Sequence, residues 1–558
     1  MAVDLLIVLV SELILVVKDN GPSFAVYIND LFTRCKVQKV VLHSLIASVH
    51  DMQKDNSSQL IESFTQDILK FNEVYLNGDA AADSTNSNFS EAFQVQILKL
   101  LLALVMLEQV VRHQAESVNP KKQGNHVQSS SSNAKVIRYL SDRLIPDQPM
   151  FLAAIVSALK LNNMRHLHSH WTSLVTNCLP FLDHSLTSTV MEVTTQLAAN
   201  LGELVPFYHN IHIEHFGQVP ADYVITQMEA LTMMYHFCLI EDSGAAKVSS
   251  LPSSSSSFSS ASGIGANSSS NQGQSEILSN LLHVFLSSSD AKALMASSID
   301  SSSTSLESAR KAMLATLPLL ISCASKLWQA VSKAKDKMQS CILVGAPKAV
   351  RARILDLLSP IAHHHPVAFL SAVGVTWQEK RSPGSHGLAK NPLPICNADQ
   401  EVLVDLTMSV KTMPVSIVIQ TVRQVLKSPP VVTSGNACKI NVEVSVLQFF
   451  YAYLAKIISV GQVVDLWSGL VALLRECLAL APPAIFLALA ILNQFAQRAP
   501  ALSERKEQRE LQELAGKLIE ATAAVGGACL EQTSWMRRNY TVKVSFRKNN
   551  NKKKLTAK

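Results

Sequence analysis

The sequence predicts an all-α protein, an extended α-solenoid of degenerate HEAT- or armadillo-like helix pairs joined by disordered serine-rich linkers. Three observations support this fold class. Apolar residues recur at helical spacing along most of the 558 residues. Prolines stand where these runs begin and end. The apolar–polar alternation typical of strands is scarce. With 48% apolar residues, the chain has ample material to bury, and it is too long for one compact core.

The helical runs begin near the amino terminus. Leu5–Val17 is very apolar, but Asp4 and Glu12 interrupt it, so it predicts a buried helix rather than a signal peptide or a membrane span. Gln94–Val111 and Leu466–Phe495 also contain charges and are predicted to be buried. The runs with helical spacing are Ile97–Val111, Leu174–Leu182, Leu186–Leu204, Met313–Val331, Ala349–Ile361, Val415–Leu426, Val444–Ile458, Val463–Leu480, Ala484–Ala496 and Arg509–Ala524.

Val463–Ala499 is the clearest repeat unit. It predicts one helix, a corner at Pro482-Pro483, and a second helix. Such pairs recur every 40–47 residues or so in HEAT and armadillo arrays, and each pair buries its apolar face by stacking on its neighbours. Four leucines at heptad spacing (Leu466, Leu473, Leu480 and Leu487) resemble a zipper. Because the two prolines fall among them, one continuous coiled coil is excluded and a core position is favoured.

A serine-rich segment divides the chain. In Ser249–Ser275, 14 of 27 residues are serine and none is charged, a composition that cannot form a core. We therefore predict four regions: a helical-repeat region at 1–240, a disordered linker at 241–305, a second helical-repeat region at 306–540, and a basic disordered tail at 541–558.

Charge and cysteine content limit the class of protein. The formal net charge is +6, but nine of the basic residues follow Trp535, and the remainder has 40 Lys and Arg against 43 Asp and Glu. The body of the chain therefore offers no general basic field for nucleic acid. Nine cysteines are scattered without CxxC spacing, which is typical of reduced thiols in the cytosol.

No catalytic or cofactor motif is predicted. Gly263-Ile264-Gly265 lacks the third glycine of a dinucleotide fingerprint, and the sequence has no P-loop, HExxH, GxSxG or kinase motif set. The histidines cluster at His166/His168/His170, at His209/His212/His215 and at His363–His365. His166 and His170 have the spacing of a zinc pair on a helix, but no third ligand or general base is indicated. Polar surface positions are favoured, and we expect neither an enzyme nor a bound metal or cofactor.

Two segments are candidates for binding. Ser503–Glu520 is rich in charges and carries a stripe of Leu511, Leu514 and Leu518, which either packs on a neighbouring helix or forms a partner face. The basic tail, with Arg537, Arg538, Lys552, Lys553 and Lys554, suits an anionic membrane surface. The same charges would attract nucleic acid, or the tail has no evolved role.

Several segments resemble the late part of the Dopey family of large trafficking proteins. They are Val446–Tyr453, the helix pair Leu466–Ala496, Arg505–Gln512 and Leu530–Asn539. The last two are the most specific. The resemblance is strongest over Leu403–Asn539 and weaker over Val136–Gln227. Because family members are several times longer, the chain resembles a segment or truncated member from their C-terminal part.

The resemblance implies a function. Dopey proteins are non-enzymatic helical-repeat scaffolds, peripheral on Golgi (trans-Golgi network) and endosome membranes, and act in traffic between them. It also implies a partner, a large HEAT-repeat protein related to the Sec7-type Arf exchange factors, and no catalytic residue. The alternative is a generic helical-repeat adaptor unrelated to Golgi traffic, for example of the nuclear-transport type. The two hypotheses predict that different proteins co-purify with the chain.

Overall fold

The computed structural model describes residues 2–51, 85–116, 139–140, 143–209, 219–240, 299–334, 344–381, 396–429, 441–460, 466–498 and 505–555. These residues form seventeen α-helices and four short 3-10 helices, and no β-strand lies within them. The predicted all-α fold is therefore confirmed. The chain divides into a first unit, Met1–Leu357, and a second unit, Leu358–Lys558.

The first unit contains nine complete helices and most of a tenth. They are α1 (Ala2–Asn20), α2 (Pro22–Cys35), α3 (Val37–Asp51), α4 (Thr85–Glu116), α5 (Pro149–Lys160), α6 (His168–Cys178), α7 (Leu186–Leu204), α8 (Tyr223–Leu239), α9 (Ile299–Lys333) and α10 (Pro347–His364), whose last turns belong to the second unit. The 3-10 helices are Ile145–Asp147, Asn162–Leu167, Leu179–Phe181 and Val205–His209.

The packing within the first unit has the order of a solenoid. α1, α2 and α3 all pack on α4, and from α3 to α7 each helix contacts the helix two places further along. The odd-numbered and even-numbered helices thus form two layers, which is how helix pairs bury their apolar faces by stacking. Fully buried side chains such as Trp171, Phe151 and Tyr235 fill the space between them.

The second unit repeats this arrangement. Its helices are α11 (Pro366–Glu379), α12 (Ala398–Ser409), α13 (Val415–Lys427), α14 (Val442–Val460), α15 (Trp467–Cys477), α16 (Pro482–Arg498) and α17 (Arg505–Leu555). The helices α11, α13, α15 and α17 form one row, and α12, α14 and α16 form the other. α11 and α14 also pack closely, because Gly374 on α11 has no side chain to separate it from Val446.

Prolines delimit helices as the sequence predicts. Pro149 and Pro366 are the first residues of α5 and α11, where the missing N–H removes no helical hydrogen bond. α15 ends at Cys477 and α16 begins at Pro482, so the leucines at heptad spacing lie on two separate helices. Leu473, Leu487 and Leu466 are buried, whereas Leu480 lies between the helices and is only partly buried.

The predicted boundaries differ from the structure in two places. α9 begins at Ile299, so residues 299–305 are helical rather than part of a disordered linker, and α9 packs on α7 in the first unit. Tyr235 donates to or accepts from Thr316 at 2.9 Å, which ties α9 to α8 across the serine-rich segment. The rest of that segment, 241–298, lies outside the described residues.

The tail is the second difference. α17 continues as one helix through Leu555, whereas a disordered tail was predicted from residue 541. Residues 505–555 include Glu, Gln, Lys and Arg in high proportion, and these residues have good helix propensity. That propensity accounts for the helix up to residue 540, whereas 541–555 contains no Glu or Gln and three Asn, which favour a helix less.

Candidate interaction surface

Helix α1 has two apolar faces, and only one of them is covered. Ile7, Val10, Ile14 and Val17 form a buried stripe at helical spacing, and α1 packs on α4. The opposite face is also apolar, and Leu5 there is 62% exposed. Leu5–Val17 was predicted to be a buried helix, and the structure shows that it is buried on one side only.

Helix α2 is even less covered. Only Ala25 and Ile28 are buried, while Val26, Tyr27 and Leu31 are exposed. α2 contacts α1, so the exposed residues of the two helices lie on neighbouring elements. We call them the α1–α2 apolar surface. Its members are Leu5, Leu6, Val8, Leu9, Leu15, Val16, Val26, Tyr27 and Leu31.

The α1–α2 apolar surface has the chemistry of a protein-binding site. Single exposed apolar residues are ordinary, but clusters on adjacent helices mark sites of association. The signal was present in the sequence. Leu5–Val17 has apolar residues on every side of the helix, with Ser11 and Glu12 as its only polar residues, and such a helix needs cover on more than one side.

The predicted leucine stripe lies elsewhere. Leu514 and Leu518 are buried, at 2% and 0% exposure, and α17 packs on α16 and α15. Only Leu511 is partly exposed. Leu514 and Leu518 therefore hold α17 to its own unit and are not exposed to a partner in this structure. The exposed apolar residues of α17 are instead Ile519, Leu530 and Trp535.

The predicted membrane-contacting residues Arg537, Arg538, Lys552, Lys553 and Lys554 lie on the helical backbone of α17. Their side chains lie outside the described residues. The anionic contact therefore stays a prediction. The structure adds that the backbone that carries these residues is continuous with the packed part of the helix.

The histidines serve different purposes. His168 is fully buried, and its Nδ1 lies 2.5 Å from the Tyr223 hydroxyl. Its Nε2 lies 3.1 Å from the Ala158 carbonyl oxygen and 3.2 Å from that of Leu161, where α5 ends. Burial lowers the pKa of His168 to about 4, outweighing the two carbonyl hydrogen bonds. The neutral ring is therefore a structural connector between α6, α8 and the end of α5.

The other histidines that the structure describes lie apart from one another or at exposed positions. The His166 Nε2 lies 3.1 Å from Glu91 on α4. His363 and His364 are exposed at the end of α10. His212 and His215 lie outside the described residues, as does the side chain of His209. In the part of the chain that the structure describes, no group of three or more His, Cys, Asp or Glu side chains is placed to hold a metal ion.

Two helices are long and apolar enough to cross a membrane by length and composition. They are Glu91–Gln114, within α4, and Thr304–Lys333, within α9. More than half of each apolar stretch is buried inside the protein, as in the core helices of helical-repeat proteins. α4 is the helix on which α1, α2 and α3 pack, which accounts for its apolar composition.

Comparisons with known proteins give consistent matches. A family model described as the DOP1 TPR domain matches residues 1–241. Protein DOP1 homolog of Drosophila melanogaster is 35% identical over 97% of this chain and 20% of its own length. Protein DOP1B of Xenopus laevis is 30% identical over 97% of this chain and 22% of its own length. Protein pad-1 of Caenorhabditis elegans is 24% identical over 94% of this chain and 24% of its own length.

These matches extend the resemblance seen in the sequence. The family model covers the region where that resemblance was weak, and TPR units are helix pairs, in agreement with the two-layered packing. The chain spans about a fifth of the length of the fly and frog relatives. It therefore corresponds to a segment of those proteins, and its place in their C-terminal part stays a prediction. No solved structure matches the chain.

Proposed function

The chain belongs to the Dopey (DOP1) family, and from this membership we propose that it is a non-enzymatic scaffold in vesicle and protein traffic between Golgi and endosomes. The fold supports this proposal, since stacked helix pairs present extended surfaces for other proteins. The observation that carries it is the α1–α2 apolar surface, because an apolar face on adjacent helices suits a protein partner.

The chemistry of this surface favours a helical protein as its occupant. Besides its apolar residues, α2 carries an Asp30–Arg34 ion pair at 2.7 Å, which neutralises both charges. α1 carries the acidic residues Asp4, Glu12 and Asp19 and one lysine, Lys18, a balance that does not favour anionic lipid or nucleic acid. We therefore assign the surface to the large HEAT-repeat partner related to the Sec7-type Arf exchange factors, since helical repeats associate by stacking apolar helix faces.

The proposed location is cytoplasmic and peripheral on trans-Golgi and endosome membranes. In this proposal the protein attaches to these membranes through its HEAT-repeat partner. The basic end of α17, with Arg537, Arg538 and Lys552–Lys554, adds attraction to anionic lipid headgroups of roughly 1 kcal/mol per residue. Such attraction is screened by salt, so the tail alone does not hold the protein on a membrane at physiological ionic strength.

Affinity capture from cells tests the proposal. The tagged chain is compared with a double variant, Leu9→Ser with Tyr27→Ser, which replaces two large side chains of the α1–α2 apolar surface with small polar ones. The control is Met233→Ser with Leu319→Ser, since both residues are exposed on the first unit but lie outside that surface. We expect the original chain and the control to recover a HEAT-repeat protein with Golgi proteins, and the Leu9/Tyr27 variant to lose them.

The same capture separates the alternatives. Recovery of importin cargo or nucleoporins without any Golgi protein would overturn the proposal and favour the nuclear-transport type of adaptor. Equal recovery of the HEAT-repeat partner by the Leu9/Tyr27 variant would leave the traffic role standing but would remove the α1–α2 apolar surface from it.

A further inference from the structure

A serine followed directly by proline stands where α13 ends. The helix spans Val415–Lys427, Ser428 is its C-cap residue, and Pro429 comes next. The backbone of Ser428 has φ −140° and ψ 74°, outside the helical region. Such a conformation is expected before a proline, whose ring disfavours the helical region for the preceding residue. Ser428 and Pro429 are both exposed, and serine before proline is the sequence that proline-directed protein kinases recognise.

The other Ser-Pro pairs of the chain differ in their surroundings. They are Ser359-Pro360 and Ser382-Pro383. Ser359-Pro360 lies within α10, both residues are partly buried, and the Ser359 carbonyl oxygen accepts a hydrogen bond of 3.0 Å from the Thr412 hydroxyl. Because protein kinases bind their substrates in an extended conformation, this pair is closed to them. Ser382-Pro383 lies outside the described residues, so in the described part of the chain Ser428 is the Ser-Pro site that a kinase can reach.

The Ser428 hydroxyl is available for modification. It donates a long hydrogen bond of 3.4 Å to the Gln424 carbonyl oxygen, which also accepts the Ser428 N–H at 3.2 Å. The hydroxyl can therefore turn towards a kinase while the backbone hydrogen bond still holds the end of the helix.

The charge around the end of α13 favours a phosphate group. Arg423 and Lys427 on α13 both pair with Glu476 on α15, at 2.6 and 3.1 Å. Two cations thus share one carboxylate, and the three groups together carry a positive charge. A phosphoserine bears about −1.5 to −2 charges at neutral pH and forms strong charge-assisted hydrogen bonds with cations. A phosphate on Ser428 is therefore attracted to this cluster.

We propose that Ser428 is a phosphorylation site for a proline-directed protein kinase, and that its phosphate draws Lys427 away from Glu476. The proposal does not depend on the traffic function. In the transfer, Oγ of Ser428 forms a bond to the γ-phosphorus of ATP, and the bond from that phosphorus to the β–γ bridging oxygen breaks. ADP leaves with the electron pair of that bond, and the hydroxyl proton passes to a base of the kinase.

The two cations respond differently to the phosphate. Arg423 is 29% exposed and donates to Glu476 through both Nε and Nη2, at 3.2 and 2.6 Å, so it keeps its partner. Lys427 is 62% exposed and adjacent to Ser428 in sequence, so its flexible ammonium turns to the stronger charge of the phosphate. The phosphate also repels the free carbonyl oxygens at the end of α13, which loosens the last helical turn.

Phosphorylation of the folded full chain tests the first part of the proposal. The chain is incubated with an active mitogen-activated protein kinase and Mg-ATP, and modified peptides are identified by mass spectrometry. We expect phosphate at Ser428 in the original chain, several-fold less in Pro429→Ala and none in Ser428→Ala, while the Ser359 peptide stays unmodified. An unmodified Ser428, with the kinase active on a Ser-Pro reference peptide, would overturn the proposal. Equal modification of Ser359 would also overturn it, because the fold would then not select Ser428.

Carbodiimide cross-linking tests the second part, because it joins an amine directly to a carboxylate in contact with it. We expect the Lys427–Glu476 cross-link to fall several-fold in the phosphorylated chain. After correction for the intrinsic rate, hydrogen exchange of the Ser428 amide should become several-fold faster. The Lys456–Asp405 pair, also in the second unit, is the control and should cross-link equally in both forms. An unchanged Lys427–Glu476 cross-link, or an equal fall in both pairs, would refute a local effect of the phosphate.

Discussion

The two units have the same helical architecture but differ in the charge of the polar side chains that they bury. In the first unit, buried polar side chains bond the carbonyls at helix ends: His168 reaches Ala158 and Leu161, and the Asn200 amide donates to Leu159 at 2.9 Å. In the second unit, Asn397 and Gln400 form a capping box at the start of α12 and also donate to the carbonyl oxygens of Lys380 and Trp377, near the end of α11, at 2.8 and 3.1 Å. Both units therefore satisfy helix ends with polar side chains.

The difference in charge lies in the interiors. The first unit buries Arg165, which pairs with Glu203 at 2.8 Å, and the neutral His168. In the described part of the second unit, no charged side chain is buried, and many of the buried hydroxyls bond their own helix, as Thr376 does to Ala372. Because a buried ionisable side chain changes its protonation with pH whereas neutral hydroxyls and amides do not, the first unit should respond more to pH and the second more to lost packing.

The largest effect is expected from Phe449→Ala in the second unit. Phe449 is fully buried and packs edge-on against Trp377, with ring centroids 5.7 Å apart. Its loss should destabilise by about 3–5 kcal/mol through lost transfer energy and a cavity. Denaturant unfolding with hydrogen exchange should show reduced protection in α11–α16 and unchanged protection in α5–α8.

The control for this change is Phe486→Ala, because Phe486 lies in the same unit but is exposed. It should alter stability by less than about 0.5 kcal/mol. Equal loss of protection in both units after Phe449→Ala would contradict the comparison, since it would indicate one cooperative core.

In the first unit, His168→Phe should destabilise the protein mainly through lost hydrogen bonds, and less through lost packing. The ring is replaced by one of similar size, but the Tyr223 hydroxyl and two carbonyls lose their partner, and each such buried group costs about 1–3 kcal/mol. Chemical denaturation at pH 7 measures the difference between the two chains.

The pH dependence of the same pair of chains sharpens this prediction. The pKa of His168 is lowered to about 4, so its contribution is present above about pH 6.5 and is lost as pH falls towards 4. The stability of His168→Phe should therefore fall less over that range. Parallel pH profiles for the two chains would show that His168 does not titrate on unfolding.

Gly374→Ala tests the close approach of α11 to α14. A Cβ at this position would lie 2.5 Å from Cγ2 of the buried Val446, so the helices must separate, at a cost of about 1–3 kcal/mol. Gly516→Ala on α17 is the matched control, since nothing lies within 4 Å of its added Cβ. There the substitution should stabilise by up to about 1 kcal/mol through helix propensity.

A double-mutant cycle separates the steric explanation from others. Val446→Ala removes the atom that the new Cβ meets, so it should recover part of the stability of Gly374→Ala. Simple additivity of the two changes would contradict the contact.

The smallest effect on stability is expected from removing the charge of Glu476, in the ion pair between α13 and α15. Glu476 accepts a hydrogen bond of 2.6 Å from Arg423, and Lys427 lies 3.1 Å away. Burial acts to raise the pKa of Glu476, but the two cations outweigh it and lower that pKa. Because all three groups are partly exposed, Glu476→Gln should cost about 0.2–1 kcal/mol at pH 7.

The contribution of this pair should be present above about pH 4.5 and be lost on acidification, since the pKa is lowered in the folded state. Titration of stability at low and high salt measures it. A cost that is unchanged by salt would contradict a screened surface pair.

The sequence was most informative where residues act locally. Helical spacing and prolines located α7, α13, α15 and α16 closely, because the period of an amphipathic helix and the missing N–H of proline are properties of the segment itself. The assignment of α9 to the first unit was missed, since it depends on contacts such as Tyr235 with Thr316 across a long insertion. No local pattern encodes such a pairing.

The candidate sites show the same limit, because local patterns were recognised from the sequence and long-range contacts were not. The stripe of Leu514 and Leu518 was recognised correctly as one helical face, but the sequence could not show that α15 and α16 cover it. The α1–α2 apolar surface was missed for the converse reason, because an all-apolar helix gives no sign of which face stays uncovered. The hydrogen bonds of Glu108 with Gln38 and with the Ile145 N–H likewise join residues that are far apart in sequence.

The distribution of tryptophans gives the protein an intrinsic optical reporter. Trp171, Trp377 and Trp467 are buried, and Trp328 is partly buried, whereas Trp535 on α17 is 67% exposed. A water-soluble quencher such as iodide should therefore extinguish mainly the red-shifted emission of Trp535. Vesicles or a partner that bind near the end of α17 would shield this emission and shift it to the blue, which reports engagement of that helix without a label.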